Sequence, residues 1–111
     1  MQIESASIPG GIIKIALSGR MDVLGTQEID LKFTGYTATH NAVMVDMSAV
    51  SFLASIGIRT LLMTAKAVSG RGGKMVILNP DDNVTNVLQM AGIDTLIPIC
   101  RSLEEAQAAL K

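Results

Sequence analysis

The chain has 111 residues, of which 49% are hydrophobic, 17% charged and 3% aromatic, and nine Lys and Arg against ten Asp and Glu leave a formal charge of −1. This size suits one domain with a real core, and the apolar content argues against a disordered chain. The lack of long single-sign runs and of stacking aromatics argues against a nucleic-acid partner, and apolar stretches as short as Ala42-Val43-Met44-Val45 leave no membrane-crossing helix, which needs about 20 apolar residues.

Gln2 to Ile8 alternates Ile3, Ser5 and Ser7 against Glu4, Ala6 and Ile8, which predicts a strand. Pro9-Gly10-Gly11 is a turn and Ile12 to Leu17 a second strand, so the chain opens on a hairpin. Thr26 is placed to cap a helix carrying Ile29, Phe33 and Tyr36 on one face, with Gly35 weakening its end. Ala42 to Asp46 is apolar on both faces, as a central strand is. Ser55 is placed to cap a second helix, whose stripe of Ile58, Leu61, Leu62, Ala65 and Val68 stops at Ser69-Gly70.

Met75 to Leu78 is a further buried strand, broken by Asn79-Pro80. Asn79 or Asp82 then caps a helix with Val84, Val87, Leu88 and Ala91 at i, i+3, i+4, i+7, and Gly92 ends it. Leu96-Ile97-Pro98-Ile99 is a short edge strand, because Pro98 cannot donate to a ladder. Ser102 and Glu105 form a capping box for a last helix through Leu103, Ala106 and Leu110. Helices alternating with apolar strands give an α/β class: a mixed, mostly parallel sheet with an N-terminal hairpin, packed by about four helices.

Few residues carry chemistry. The lone Cys100 rules out an internal disulfide and, with the lone His40, argues against a metal site or a cofactor held by these groups. His40 reads as a surface histidine and Cys100 as a small buried hydrophobe, while the seven Met are spread through the core. Ser69-Gly70-Arg71-Gly72-Gly73-Lys74 is glycine-rich like a phosphate loop. It leaves a helix and enters a strand, and Met75 follows its Lys, so it reads as a turn. Asp81-Asp82 and Glu104-Glu105 stand near helix starts, where carboxylates favour the dipole. No nucleophile has a base near it in sequence, so no enzyme is expected. No basic and apolar leader opens the chain, which makes the cytoplasm the expected compartment.

The informative stretch is Val45 to Arg59, where a buried strand ends, a loop crosses and a helix begins at Ser55. Open α/β sheets bind at such strand ends, and a helix N-terminus offers free N–H groups. Gly57 costs about 1 kcal/mol of helix propensity and leaves a bare patch for close approach of another molecule.

These residues resemble the STAS domain (sulphate transporter and anti-sigma-factor antagonist). Asp46-Met47-Ser48 followed by Val50-Ser51-Phe52-Leu53-Ala54-Ser55-Ile56-Gly57-Ile58 is similar to the family's central run. Leu17-Ser18-Gly19-Arg20-Met21-Asp22, Gly72-Gly73-Lys74-Met75 and Val87 to Ile93 resemble its further motifs, in order and over nearly the whole chain. The resemblance implies an anti-sigma-factor antagonist working by partner switching. Its unmodified form binds an anti-sigma factor that is also a serine kinase, phosphorylation at the helix-start serine releases it, and a serine phosphatase restores it. Ser55 matches that serine. The implied contact surface takes in Gly19, Arg20 and Asp22, the stretch with Ser48, Ser51, Leu53 and Ala54, and Ile56, Gly57 and Arg59. Arg59, one turn on, is placed to pair with the phosphate. Ala54 stands where the family often has Asp, and Ile56 where it has Ser or Thr. The free chain is expected to be monomeric. The alternatives are an adaptor subunit of a lipid-transport ATPase complex and a module sensing a nucleotide or anion.

Overall fold

Alternating strands joined by a glycine turn make the hairpin expected at the start of the chain. In the computed structural model, which describes residues 1–111, β1 (Gln2–Ile8) runs antiparallel to β2 (Ile12–Met21). Gly10 and Gly11 turn the corner at φ of +98° and +72°, a region that glycine enters without steric cost. The chain continues as α1 (Val23–Ala38), β3 (Ala42–Leu53), α2 (Ser55–Gly70), β4 (Lys74–Leu78), α3 (Asp82–Met90), a 3-10 turn at Ile93–Thr95, β5 (Ile99–Cys100) and α4 (Leu103–Ala109).

The sheet order is β1-β2-β3-β4-β5, the order of the chain, and β2 to β5 are parallel. Crossovers of one hand that step always to the next strand deliver every connecting helix to the same face. The packing agrees. Ile13, Ile15, Val43, Val45 and Ile77 share one core with Ile29 and Phe33 of α1, Leu61 and Val68 of α2, and Val84 and Leu88 of α3. The other face carries only a small cluster, in which Ala106 of α4 covers Met44, Val76 and Cys100. The rest of that face is polar, with Lys14 Nζ 3.6 Å from Asp46 Oδ2 across β2 and β3.

Two strands are longer than expected. β2 runs on from Leu17 to Met21, and β3 from Asp46 to Leu53, so the stretch expected as a loop is paired strand. Register shifts at Ala16/Ser18 and Gly19/Arg20 each put one extra residue into β3. The first frees the Ser48 N–H from the ladder, and Asp46 Oδ1 accepts it at 3.0 Å together with the Ser48 hydroxyl at 2.7 Å. At the second, Gly19 takes φ +107°.

The helix starts also need correction. Asp22, not Thr26, caps α1: its Oδ1 accepts the Gly25 N–H at 2.8 Å, while Thr26 lies buried with its hydroxyl unpartnered. α1 passes Gly35 and ends at Ala38. Ala54, not Ser55, holds the cap position of α2 and makes no side-chain bond there. Asp81 caps α3 by accepting the Val84 N–H at 2.8 Å; Asn79 instead makes a left-handed turn at φ +50°, and Asp82 is already helical. β5 begins after Pro98, so only Ile99 and Cys100 pair. Ser102 caps α4 as expected, but Glu105 Oε2 accepts from the Arg101 N–H rather than closing the box on Ser102.

The glycine-rich stretch is a turn. Arg71 follows α2 and donates from Nη2 to the carbonyls of Thr37 (2.7 Å) and His40 (2.8 Å), so one guanidinium satisfies the open end of α1.

Candidate functional site

The carboxyl ends of β2 and β3 and the starts of α1 and α2 meet at one end of the sheet. Met21 pairs with Leu53 and Arg20 with Phe52, and the Ala54 N–H donates to the Met21 carbonyl at 3.0 Å, so α2 departs from a fixed point. Ala54 is extended (φ −95°, ψ 170°), and its carbonyl takes the Gly57 and Ile58 N–H groups at 3.0 and 3.2 Å. The N–H groups of Ser55 and Ile56 have no partner. Ser55 is exposed as the first helical residue, beside these open donors and the positive end of a 16-residue helix.

A second group stands at the same end. The Arg20 guanidinium lies 4.4 Å from the centroid of the Phe52 ring, and its Nε is 3.5 Å from Asp22 Oδ2. The hydrogen bond from the Gly25 N–H is the main cause holding the Asp22 carboxyl below its ordinary pKa; partial desolvation opposes it, and Arg20 adds to the lowering. Asp22 is therefore occupied twice within its own chain, once as a helix cap and once as an ion-pair partner.

Gly19, Arg20, Asp22, Ser51, Ala54, Ser55, Ile56 and Arg59 all keep some exposure. Leu53 and Gly57 do not: both are buried, so neither adds a side chain to the surface. A Cβ on Gly57 would stand 2.7 Å from Leu53 Cδ1 and 2.8 Å from Met21 Cγ. The bare side of this glycine faces the protein's own core and lets α2 close on the sheet, instead of receiving another molecule. Ser48 is exposed but lies with Gln2, Glu4, Ala16 and Asp46 around a shallow hollow toward the β1 edge, among none of the residues around Ser55.

Two residues absent from the sequence expectation, Val23 and Leu24, belong to this end of the sheet. With Phe52 (40% exposed) of the expected stretch, Val23 (53%) and Leu24 (73%) place apolar surface around the Arg20–Asp22 pair. The sequence signal of Val23 and Leu24 was faint. Two apolar residues directly after a capping Asp have no role in the α1 core stripe, but that is visible only once Asp22 is recognised as the cap.

Comparison with known proteins follows the same lines. The family model described as STAS domain matches residues 5–106. BtrV of Bordetella bronchiseptica, named as a candidate anti-sigma factor antagonist, is 22% identical over 102 residues, covering 91% of this chain and 88% of that one. Among solved structures, an anti-sigma factor antagonist from Mycobacterium paratuberculosis superposes with a TM-score of 0.85 at 22% identity, over 98% of this chain and 94% of that one. The Bacillus cell-fate determinant SpoIIAA, in its phosphorylated form, gives 0.71 at 18% identity, over 99% and 100%. The structural likenesses establish the fold, and the family match over nearly the full length establishes membership: the chain belongs to the STAS domain family.

Proposed function

We propose that this protein is a cytoplasmic anti-sigma-factor antagonist. Unmodified, it binds an anti-sigma factor that is also a serine kinase, through the surface around Ser55. Phosphorylation of Ser55 releases it, and a serine phosphatase restores it. The observation that carries the reading is the exposed Ser55 hydroxyl at the uncapped start of α2. A phosphate there adds about −1.5 to −2 charges and three acceptors. The fold accommodates them, because the Ser55 and Ile56 N–H groups are free and Arg59 stands one turn on without an ion-pair partner. A closely packed partner surface does not, since it would have to desolvate the new charge. Relatives support the reading by name, and SpoIIAA of the same fold exists in a phosphorylated form.

Phosphopeptide mass spectrometry on the protein isolated from its native cells, with co-purifying proteins identified, tests this reading. Phosphate on Ser55 beside a serine kinase is expected. Ser55→Asp should then weaken kinase binding at least tenfold by calorimetry while leaving the circular dichroism spectrum unchanged, and about 1.4 kcal/mol of lost interface energy suffices for that. An unmodified Ser55 beside a stable transporter ATPase would overturn the switch and make the chain an adaptor.

A further inference from the structure

An open sheet has two edges, and only one of these is blunted. β5 pairs through Ile99 and Cys100 alone, between Pro98, which has no N–H, and the charged Arg101. β1 is seven residues long, with no Pro, Lys or Arg from Gln2 to Ile8, and no strand lies beyond it. The hydrogen bonding decides which of its groups are free. The Lys74 N–H goes to the Asn41 carbonyl on β3. Strand residues alternate sides, so Ala42, Met44 and Asp46 turn toward β2, and Ile12, Lys14 and Ala16 toward β1. The β1 residues opposite them, Ile8, Ala6 and Glu4, are bonded in return. Ile3, Ser5 and Ser7 therefore aim N–H and C=O at the open edge. Ser5 and Ser7 are exposed on the face that carries α1, so no helix overhangs this stretch.

We propose that β1 is the interface of a symmetric homodimer, in place of the monomer expected of the free chain. β1 pairs antiparallel with β1 of a second copy about a two-fold axis at Ser5, and the two sheets become one. Ile3 then stands opposite the partner's Ser7, and Ser5 opposite the partner's Ser5, so every outward N–H and C=O of both strands is used. The charges fit this register. Glu4 has no ion-pair partner in its own chain and comes to face the partner's Ala6. Ala6 has Lys14 on its other side, on the same face of the sheet. Glu4 is thus two strand spacings of about 4.8 Å from the partner's Lys14, with only a methyl group between them, within reach of both long side chains. The two-fold makes this contact twice. Neighbouring registers are worse: an axis at Glu4 opposes the two carboxylates, and an axis at Ala6 sets Ile3 against the partner's Pro9, which has no N–H. Ser55 starts α2 after β3, with β2 between β3 and this edge, so pairing leaves its surface open.

A strand pair of this length is at the small end of interfaces, below roughly 1,200 Å² in total, so the dimer is expected to be reversible. Analytical ultracentrifugation up to about 1 mM protein should show the mass rising from 11.7 kDa toward twice that value. At the highest concentration, amide hydrogen exchange should slow several-fold more at Ile3, Ser5 and Ser7 than at Glu4 and Ala6, whose N–H groups already bond β2. Ser5→Pro removes an N–H that bonds nothing in the monomer, so it should keep the circular dichroism spectrum and hold the protein at monomer mass. Ala6→Glu, at an exposed position, sets a carboxylate against the partner's Glu4 and should weaken the dimer at least tenfold. Adding Glu4→Lys to it should restore pairing. A monomer at every concentration, slowed exchange away from β1, or a Ser5→Pro variant that dimerises like the wild type overturns the proposal. A monomer whose Ile3, Ser5 and Ser7 amides are protected only by a synthetic Thr-Val repeat peptide would assign the edge to an extended strand of another protein and overturn it too. Ser55→Asp leaves this edge untouched and should dimerise as the wild type does, so the dimer and the switch can each fail without the other.

Discussion

Gly25 and Gly35 lie ten residues apart in the same helix, and exchanging each for Ala should change stability in opposite directions. Helix propensity alone favours Ala over Gly by about 1 kcal/mol at both. At Gly35 a Cβ meets nothing within 4 Å, so the propensity gain is realised in full. At Gly25 a Cβ is driven into the backbone carbonyl oxygen of Arg20, with the carbonyl carbon 3.1 Å and Asp22 Oδ1 3.1 Å away. Overpacking costs about 1–3 kcal/mol even where side chains can give. Here the obstacle is backbone, held by β2 in the sheet, so the upper end applies and the net loss is about 2 kcal/mol. With a urea m-value of about 1.5 kcal/mol/M, Gly25→Ala lowers the unfolding midpoint by roughly 1.3 M, and Gly35→Ala raises it by roughly 0.7 M. Urea titrations followed by circular dichroism read both. If Gly25→Ala matched or exceeded the wild type in stability, α1 would not sit against the end of β2 as described, and the anchoring of Asp22 beside Arg20 would fall with it.

Three further outcomes follow from single side chains. Thr26→Val keeps the buried shape and removes a hydroxyl without a partner, so the variant should be more stable by about 1 kcal/mol in the same titration; a loss of stability would mean that this hydroxyl is satisfied in solution. Asp22→Ala should destabilise the protein at neutral pH by a margin that shrinks as the pH falls below 3.8. A carboxyl whose folded pKa is lowered contributes stability above its ordinary value and loses it on protonation. A margin constant from pH 7 to pH 2.5 would contradict the charged cap. Burial, with a smaller contribution from Glu105, pushes the Cys100 thiol up, so Ellman's reagent should label it only as fast as the protein opens; rapid labelling of the native state would place the thiol at the surface.

The alternation of helices and strands was legible because each element is amphipathic or apolar at its own period, and the stripe of α2 and the hairpin turn both stand where expected. The end of β3 was not. On the face covered by α1 to α3 its buried residues run Val43, Val45 and Met47 at the strand period and then Val50 and Leu53 at intervals of three. Each extra residue let in by a register shift flips the alternation, so a paired strand carries the spacing of a loop. The caps of α1 and α2 were missed for a different reason. Thr26 and Ser55 have the right side chains, yet the chain enters the helices at Asp22 and Ala54, because the ends of β2 and β3 dictate where the backbone turns. Around Ser55 the motif located the surface, while the inward side of Gly57 and the internal ties of Asp22 appear only when neighbouring elements are in place.

The sheet adds its strands in the order in which the chain is written. After the hairpin, each strand docks on the one made just before it, through a loop closed by a single helix, so no strand has to wait for a distant segment to arrive. Closing a short loop costs less entropy than closing a long one, and folding rates rise as contacts become more local. A nascent chain leaving the ribosome can extend the sheet strand by strand from β1, with α4 arriving last to cover the opposite face of its final strands.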